Sequence, residues 1–297
     1  MLSIPQAAQS LINWRYAINE ESVLNNGKPP DKGNAPGILE LKQAINAIRT
    51  QAFATSNGKV DYSGLSSSTA YEEYRQATRH LQSFDPTTLN TLDERLAFWI
   101  NLYNALVIDG VIAFGITGSV NELPGFFWKA AYCINGYRFS TFDIEYGVLR
   151  ANAGHPAIPG PQFDKDDPRA QNSLEILDAR LHFALVCASR SCPPIALYTE
   201  ENIDHQLDLA ARSFINGGGV EIDRDNRVVY LSKIFQWYAP DFGGPWLGLG
   251  NMRPVLDYVA PYINDEVTSL WLREGDYKVK YTPYDWNLNL LDVTQLK

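Results

Sequence analysis

The run AFWINLYNALVIDGVIAF at residues 97–114 constrains this chain more than any other stretch. Thr91 followed three residues later by Glu94 has the spacing of a capping box and opens a helix reaching Gly115. That helix is apolar almost all the way round, so it must be enclosed by the rest of the fold. At about 100° per residue, Glu94, Asn101 and, somewhat offset, Asn104 share one side of it. A buried amide left unpaired costs about 1–3 kcal/mol, so the two asparagines must fasten either neighbouring backbone or a catalytic group.

At 297 residues the chain is long enough for one substantial core. Helical periodicity at residues 1–25, Ile38–Phe53 and Tyr71–Phe84, with a Gly/Pro-rich loop from Asn25 to Gly37, predicts a polar-faced helical layer before the central helix. Asn135-Gly136 between aromatic segments reads as a hairpin, as does Asp223–Asn226 between Val220–Ile222 and Arg227–Leu231. Phe142–Arg150 reads as helix, and Val279–Tyr281 as a last short strand. No internal repeat or linker interrupts the chain, which predicts a single domain over 1–297: a helical layer over 1–90, then the core of the fold over 91–290.

The stretch LHFALVCASRSCPP at 181–194 carries the chemistry. Leu181–Cys187 reads as a strand, with His182, Ala184 and Val186 on one face and Cys187 on the other. Cys192 lies beyond a turn, and Pro193 biases it towards an extended conformation. A mostly antiparallel sheet built around 181–187 gives an α+β class. The long Pro/Gly-containing loop from Asn152 to Asp167 reads as a surface segment suited to act as a lid, with His155 in solvent.

A net charge of -9 and a pI near 5.0, with no basic patch, argue against nucleic acid and anionic membrane as partners. The first thirty residues hold no uninterrupted apolar region, so neither a signal peptide nor a membrane span is expected there. Cytoplasm is the default, with the periplasm or secretion as the alternative should a leader precede the sequence. Three cysteines are too few for a disulfide framework; Cys187 and Cys192 pair in an oxidising compartment or stay free in a reducing one.

A thiol, an imidazole and an orienting group are the parts of a cysteine nucleophile site. Cys192 or Cys187 would supply sulfur, His182 the base, and Glu94, Asn101, Asn104 or Asp285 the orientation. Against this, His182 is equally a core histidine held by backbone or a buried asparagine, and capping already explains Glu94. As metal ligands, Cys187, Cys192 and His182 have a C-x4-C spacing wider than short zinc hooks, with no second pair nearby. No metal and no cofactor are expected. P-loop, GxGxxG, GxSxG and HExxH patterns are absent.

AFWINLYNAL at 97–106, FDIEYGVLR at 142–150, HFALVCASRSCPP at 182–194 and YDWNLN at 284–289 together resemble the family called domain of unknown function 547. The resemblance implies a bacterial or plant relative and assigns no activity. Plant members lack a cysteine at the position of Cys192, so a thiol there is not a family-wide requirement. A buried helix, then a histidine segment, then an Asp-Trp segment also resembles the order of papain-like and transglutaminase-like folds, whose helix normally carries the cysteine.

Two functional expectations follow. One is a cysteine-dependent hydrolase or acyl transferase, with Cys192 as nucleophile, His182 as base and Glu94 or Asn104 as orienter. The other is a non-catalytic domain binding a peptide or small molecule among the aromatics of 126–139, 235–246 and 281–286. In either case Asn101, Ser189, Trp237, Asp285 and Trp286 are the expected substrate contacts.

Overall fold

The computed structural model describes residues 4–28, 38–53, 59–275 and 277–291. From residue 29 on, the Gly/Pro-rich loop ending at Gly37 lies outside them. The capping box at Thr91 forms as the spacing predicts: Glu94 N–H donates to Thr91 Oγ1 at 3.1 Å, and Thr91 N–H donates back to Glu94 Oε2 at 3.2 Å. The helix it opens, Leu92–Ala113, is buried continuously from Leu96 to Val111. It is long and apolar enough to cross a membrane, but here the protein itself covers it.

The N-terminal layer packs on this helix. Ile38–Phe53 buries Leu41, Ile45 and Ile48, and packs against Thr69–Ala77, which Ser68 caps by accepting from Tyr71 N–H at 3.1 Å. Where the layer meets the central helix, Asp109 is fully buried and fully used. It accepts from Tyr71 and Tyr132 hydroxyls, each at 2.6 Å, and pairs with Arg75 at 2.8 Å. Breaking up an apolar helix with a charge is tolerated because three donors surround that charge.

The class is α+β, with two small sheets. Strands β1 (Ala131–Ile134) and β2 (Tyr137–Ser140) pair antiparallel across Asn135-Gly136. Both turn residues take positive φ, 49° and 80°, the conformation that favours Asn-Gly there. Strands β3 (Val220–Asp223) and β4 (Val228–Leu231) form the second antiparallel hairpin, and β5 (Lys278–Tyr281) adds to β4 in parallel.

Neither sheet contains residues 181–187, which corrects the strand expected there. Ala179–Phe183 is a 3-10 turn started by Asp178, whose carboxylate accepts from Arg180 N–H at 2.9 Å. Beyond it, Asn104 of the central helix takes the place of a neighbouring strand. Its Nδ2 donates to Ala184 O at 3.0 Å, and its Oδ1 accepts from Val186 N–H at 3.0 Å. An apolar, β-favouring segment thus finds its backbone partners on a side-chain amide.

Two apolar cores result. The larger surrounds the central helix; the second gathers Phe183, Phe235, Phe242, Val255 and Leu272 around the β3–β5 sheet. A cavity is lined from both.

Candidate functional site

The cavity has a volume of about 530 Å³. Its wall is mainly aromatic: Phe127, Trp128, Phe142 and Tyr146 on one side, Trp237, Tyr284 and Trp286 on another. Convergent polar groups in an apolar pocket of this size are the usual form of a small-molecule site. Three segments bring those groups in.

The first is Ile144–Leu149, a π-helical turn following the short helix Thr141–Asp143. The expected helix over 142–150 therefore takes an unusual winding, of a kind frequent at functional sites. It buries Glu145 in the cavity wall. Tyr103 from the central helix donates to Glu145 Oε2 at 3.0 Å, and Tyr238 donates to Oε1. Burial, reinforced by the facing carboxylate, raises both phenols well above their ordinary value, so they remain donors. Each carboxylate oxygen thus accepts one hydrogen bond.

The second is the 3-10 turn carrying His182. Its Nε2 lies 2.7 Å from Asp241 Oδ2, and its ring stacks on Tyr238 with centroids 3.8 Å apart. Asp241 also receives Arg150, Nε to Oδ2 at 2.7 Å and Nη2 to Oδ1 at 2.6 Å. Arg150, Asp241 and His182 form a buried relay, none of the three side chains more than 5% exposed. Burial opposes ionisation of Asp241, but the hydrogen bonds from His182 and Arg150 outweigh it and hold the carboxyl at about 2. Burial lowers His182 despite the neighbouring carboxylate, so the ring is neutral at pH 7 and donates Nε2–H to Asp241. Among the described residues its Nδ1 makes no hydrogen bond.

The third is the 187–192 loop. Cys187 and Cys192 are disulfide-bonded. Cys187 Sγ contacts Ser189 Oγ and Tyr284 Oη, both at 3.1 Å, and Cys192 Sγ lies 3.3 Å from Tyr284 Oη. Both cysteines and His182 line the cavity, but no hydrogen bond joins a sulfur to the imidazole among the described residues.

Of the expected contacts, Trp237 and Trp286 also line the cavity and Ser189 sits just behind its wall. The asparagines fasten backbone: Asn104 as described, and Asn101 both backbone groups of Tyr198, at 2.7 and 3.0 Å. Asn104 thereby positions Leu185 and Val186 in the wall without lining it. Glu94 is committed to the helix cap and lies outside the cavity. Asp285 also lies outside the wall, accepting from Asn287 in its own loop.

His155 corrects the expectation of a solvent-exposed ring. It is half-buried in the cavity wall, 5.0 Å from Tyr146 and stacked on Phe142 at 5.8 Å. The loop folds down because Asn152 clamps both backbone groups of Phe163 and Trp246 Nε1 donates to Pro156 O at 2.7 Å. Burial, with Arg150 nearby, lowers the His155 imidazole. Among the described residues, no group of three or more His, Cys, Asp or Glu is arranged to hold a metal.

Tyr103, Glu145, Tyr146, Arg150, Tyr238 and Asp241 were not singled out by sequence reasoning. One signal was available: a glutamate amid Phe142, Ile144, Tyr146, Val148 and Leu149 is a charge in a segment otherwise built to be buried.

Residues 86–215 match the family described as protein of unknown function, DUF547. The chain carries a DUF547 domain. No curated protein and no solved structure matches it. The DUF547 match includes Tyr103, Asn104, Glu145, Arg150, His182 and both disulfide cysteines. Tyr238, Asp241, Tyr284 and the YDWNLN segment lie beyond it, so the cavity joins the DUF547 region to the C-terminal part of the chain.

Proposed function

We propose that this chain binds a small molecule in the aromatic cavity, with Glu145 and His182 as its polar contacts. The observation that carries this reading is the buried Glu145 in an aromatic wall, both of its oxygens fixed by tyrosine hydroxyls. A carboxylate so held is pre-organised to receive a ligand. The disulfide favours the same reading, because neither sulfur is available as a thiolate while the two are joined.

The cysteine hydrolase or acyl transferase reading keeps one supporting observation: Cys187, Cys192 and His182 all face one cavity. It requires reduction of the disulfide and a sulfur brought within about 3 Å of the imidazole. Under that reading Cys192 remains the nucleophile and His182 the base, with Asp241 replacing Glu94 or Asn104 as the group that orients the ring.

Ala157 lies exposed on the loop over the cavity and contributes to its lining, so Ala157→Trp narrows the mouth with little effect on folding. Benzyl alcohol, titrated while tryptophan fluorescence is followed, is expected to bind wild type and to bind Ala157→Trp at least about tenfold more weakly. Equal response in both proteins, or none in wild type, would remove the cavity as the binding site.

A further inference from the structure

The charges around the cavity are unequal. Glu145 is the one acidic residue in the lining, and no lysine or arginine is among the lining residues. Among the described residues Glu145 has no ion-pair partner; its partners are the hydroxyls of Tyr103 and Tyr238. The nearby cation, Arg150, is spent on Asp241 through two hydrogen bonds and on the carbonyl of Gly154. That pair is neutral as a unit. The wall therefore presents one uncompensated negative charge, surrounded by seven aromatic side chains besides the two tyrosines that hold it.

We infer that the ligand of this cavity is an organic cation, an amine or quaternary ammonium, seated with its positive charge against Glu145 and its alkyl groups on the aromatic rings. This inference rests on the binding reading above. A buried carboxylate without a cation is costly, and a cationic ligand removes that cost. Aromatic faces add attraction for the same charge, most strongly once water is displaced. An anionic ligand meets the reverse: repulsion by Glu145 with no guanidinium or ammonium in the lining to offset it.

Two probes of equal shape isolate the charge: choline, and 3,3-dimethylbutan-1-ol, in which carbon replaces the ammonium nitrogen. Calorimetric titration of the full chain is expected to show choline binding at least about tenfold more tightly than the alcohol. Glu145→Gln, which keeps the side chain's shape, is expected to bring the two affinities together, with its melting curve confirming that it folds. The alcohol binding as well as choline would overturn the cation assignment and leave the cavity as a ligand site. Binding of neither would overturn both. The wild-type comparison stands by itself if the Gln variant does not fold.

Discussion

Asp241 accepts from His182 Nε2 at 2.7 Å, and this carboxylate, not a cysteine, is the partner of the imidazole. The same carboxylate closes a two-point pair with Arg150, so one residue from the C-terminal part of the chain fixes two from the DUF547 region. Removing its charge leaves a buried guanidinium unmatched.

Asp241→Asn is expected to destabilise the protein by about 3–5 kcal/mol, the usual cost of breaking a buried ion pair. Asp285→Asn, in an exposed loop pair with Arg190 at 3.7 Å, should change stability by less than about 0.5 kcal/mol. Urea denaturation of both variants measures the contrast. Similar losses in the two would contradict the central place given to Asp241.

Acid should weaken the fold in two stages. Burial lowers His182 and His155, so between pH 7 and 5 the unfolded chain takes up protons that the folded chain refuses. Stability is complete above the ordinary imidazole value of about 6.5 and declines as pH falls below it. Asp241, held at about 2, adds stability that is present above the ordinary carboxyl value of about 3.9 and disappears as pH falls towards 2. Denaturant midpoints from pH 8 to 4 test the first stage. His182→Asn should flatten the slope between pH 7 and 5 without abolishing it, because His155 still contributes. An unchanged slope would mean that His182 titrates normally.

The two buried asparagines should separate in their effects. Asn104→Leu orphans Ala184 O and Val186 N–H, and Asn101→Leu orphans both groups of Tyr198, at about 1–3 kcal/mol for each unpaired group. Only the Asn104 contacts hold cavity-lining backbone in place. Benzyl alcohol affinity should therefore fall in Asn104→Leu and stay within about twofold of wild type in Asn101→Leu at a temperature where both are folded. Equal affinities in the two variants would show that the 184–186 segment holds its position without Asn104.

Local signals made much of this fold readable in advance. Thr91 with Glu94 marked the start of the central helix, and Asn135-Gly136 and Asp223–Asn226 marked two hairpins, because each depends on residues close in sequence. Residues 181–187 misled for the opposite reason. Their composition suits a strand, but the partner of their backbone is an asparagine 80 residues earlier, and periodicity carries no information about it. His155 misled similarly, since Pro- and Gly-rich surroundings suggest solvent while Trp246, far along the chain, draws its loop over the cavity. The site was half legible. His182, Cys187, Cys192, Trp237 and Trp286 do line one cavity, whereas Glu145, Tyr238 and Asp241 acquire their meaning only through contacts 42 to 93 residues apart in sequence.

The central claim is that the cavity works through Glu145 and the His182–Asp241 pair and not through a thiolate. Site-resolved alkylation across pH, read by mass spectrometry in wild type and His182→Ala with and without reductant, tests it most directly. The account predicts that only Cys133 is modified before reduction. After reduction, alkylation of Cys187 and Cys192 should follow the same pH profile in both proteins, with no advantage over a free thiol, whose ordinary value is about 8.5. A thiol at either position reacting well below that pH in wild type, and losing the advantage in His182→Ala, would contradict the account and establish the cysteine enzyme instead.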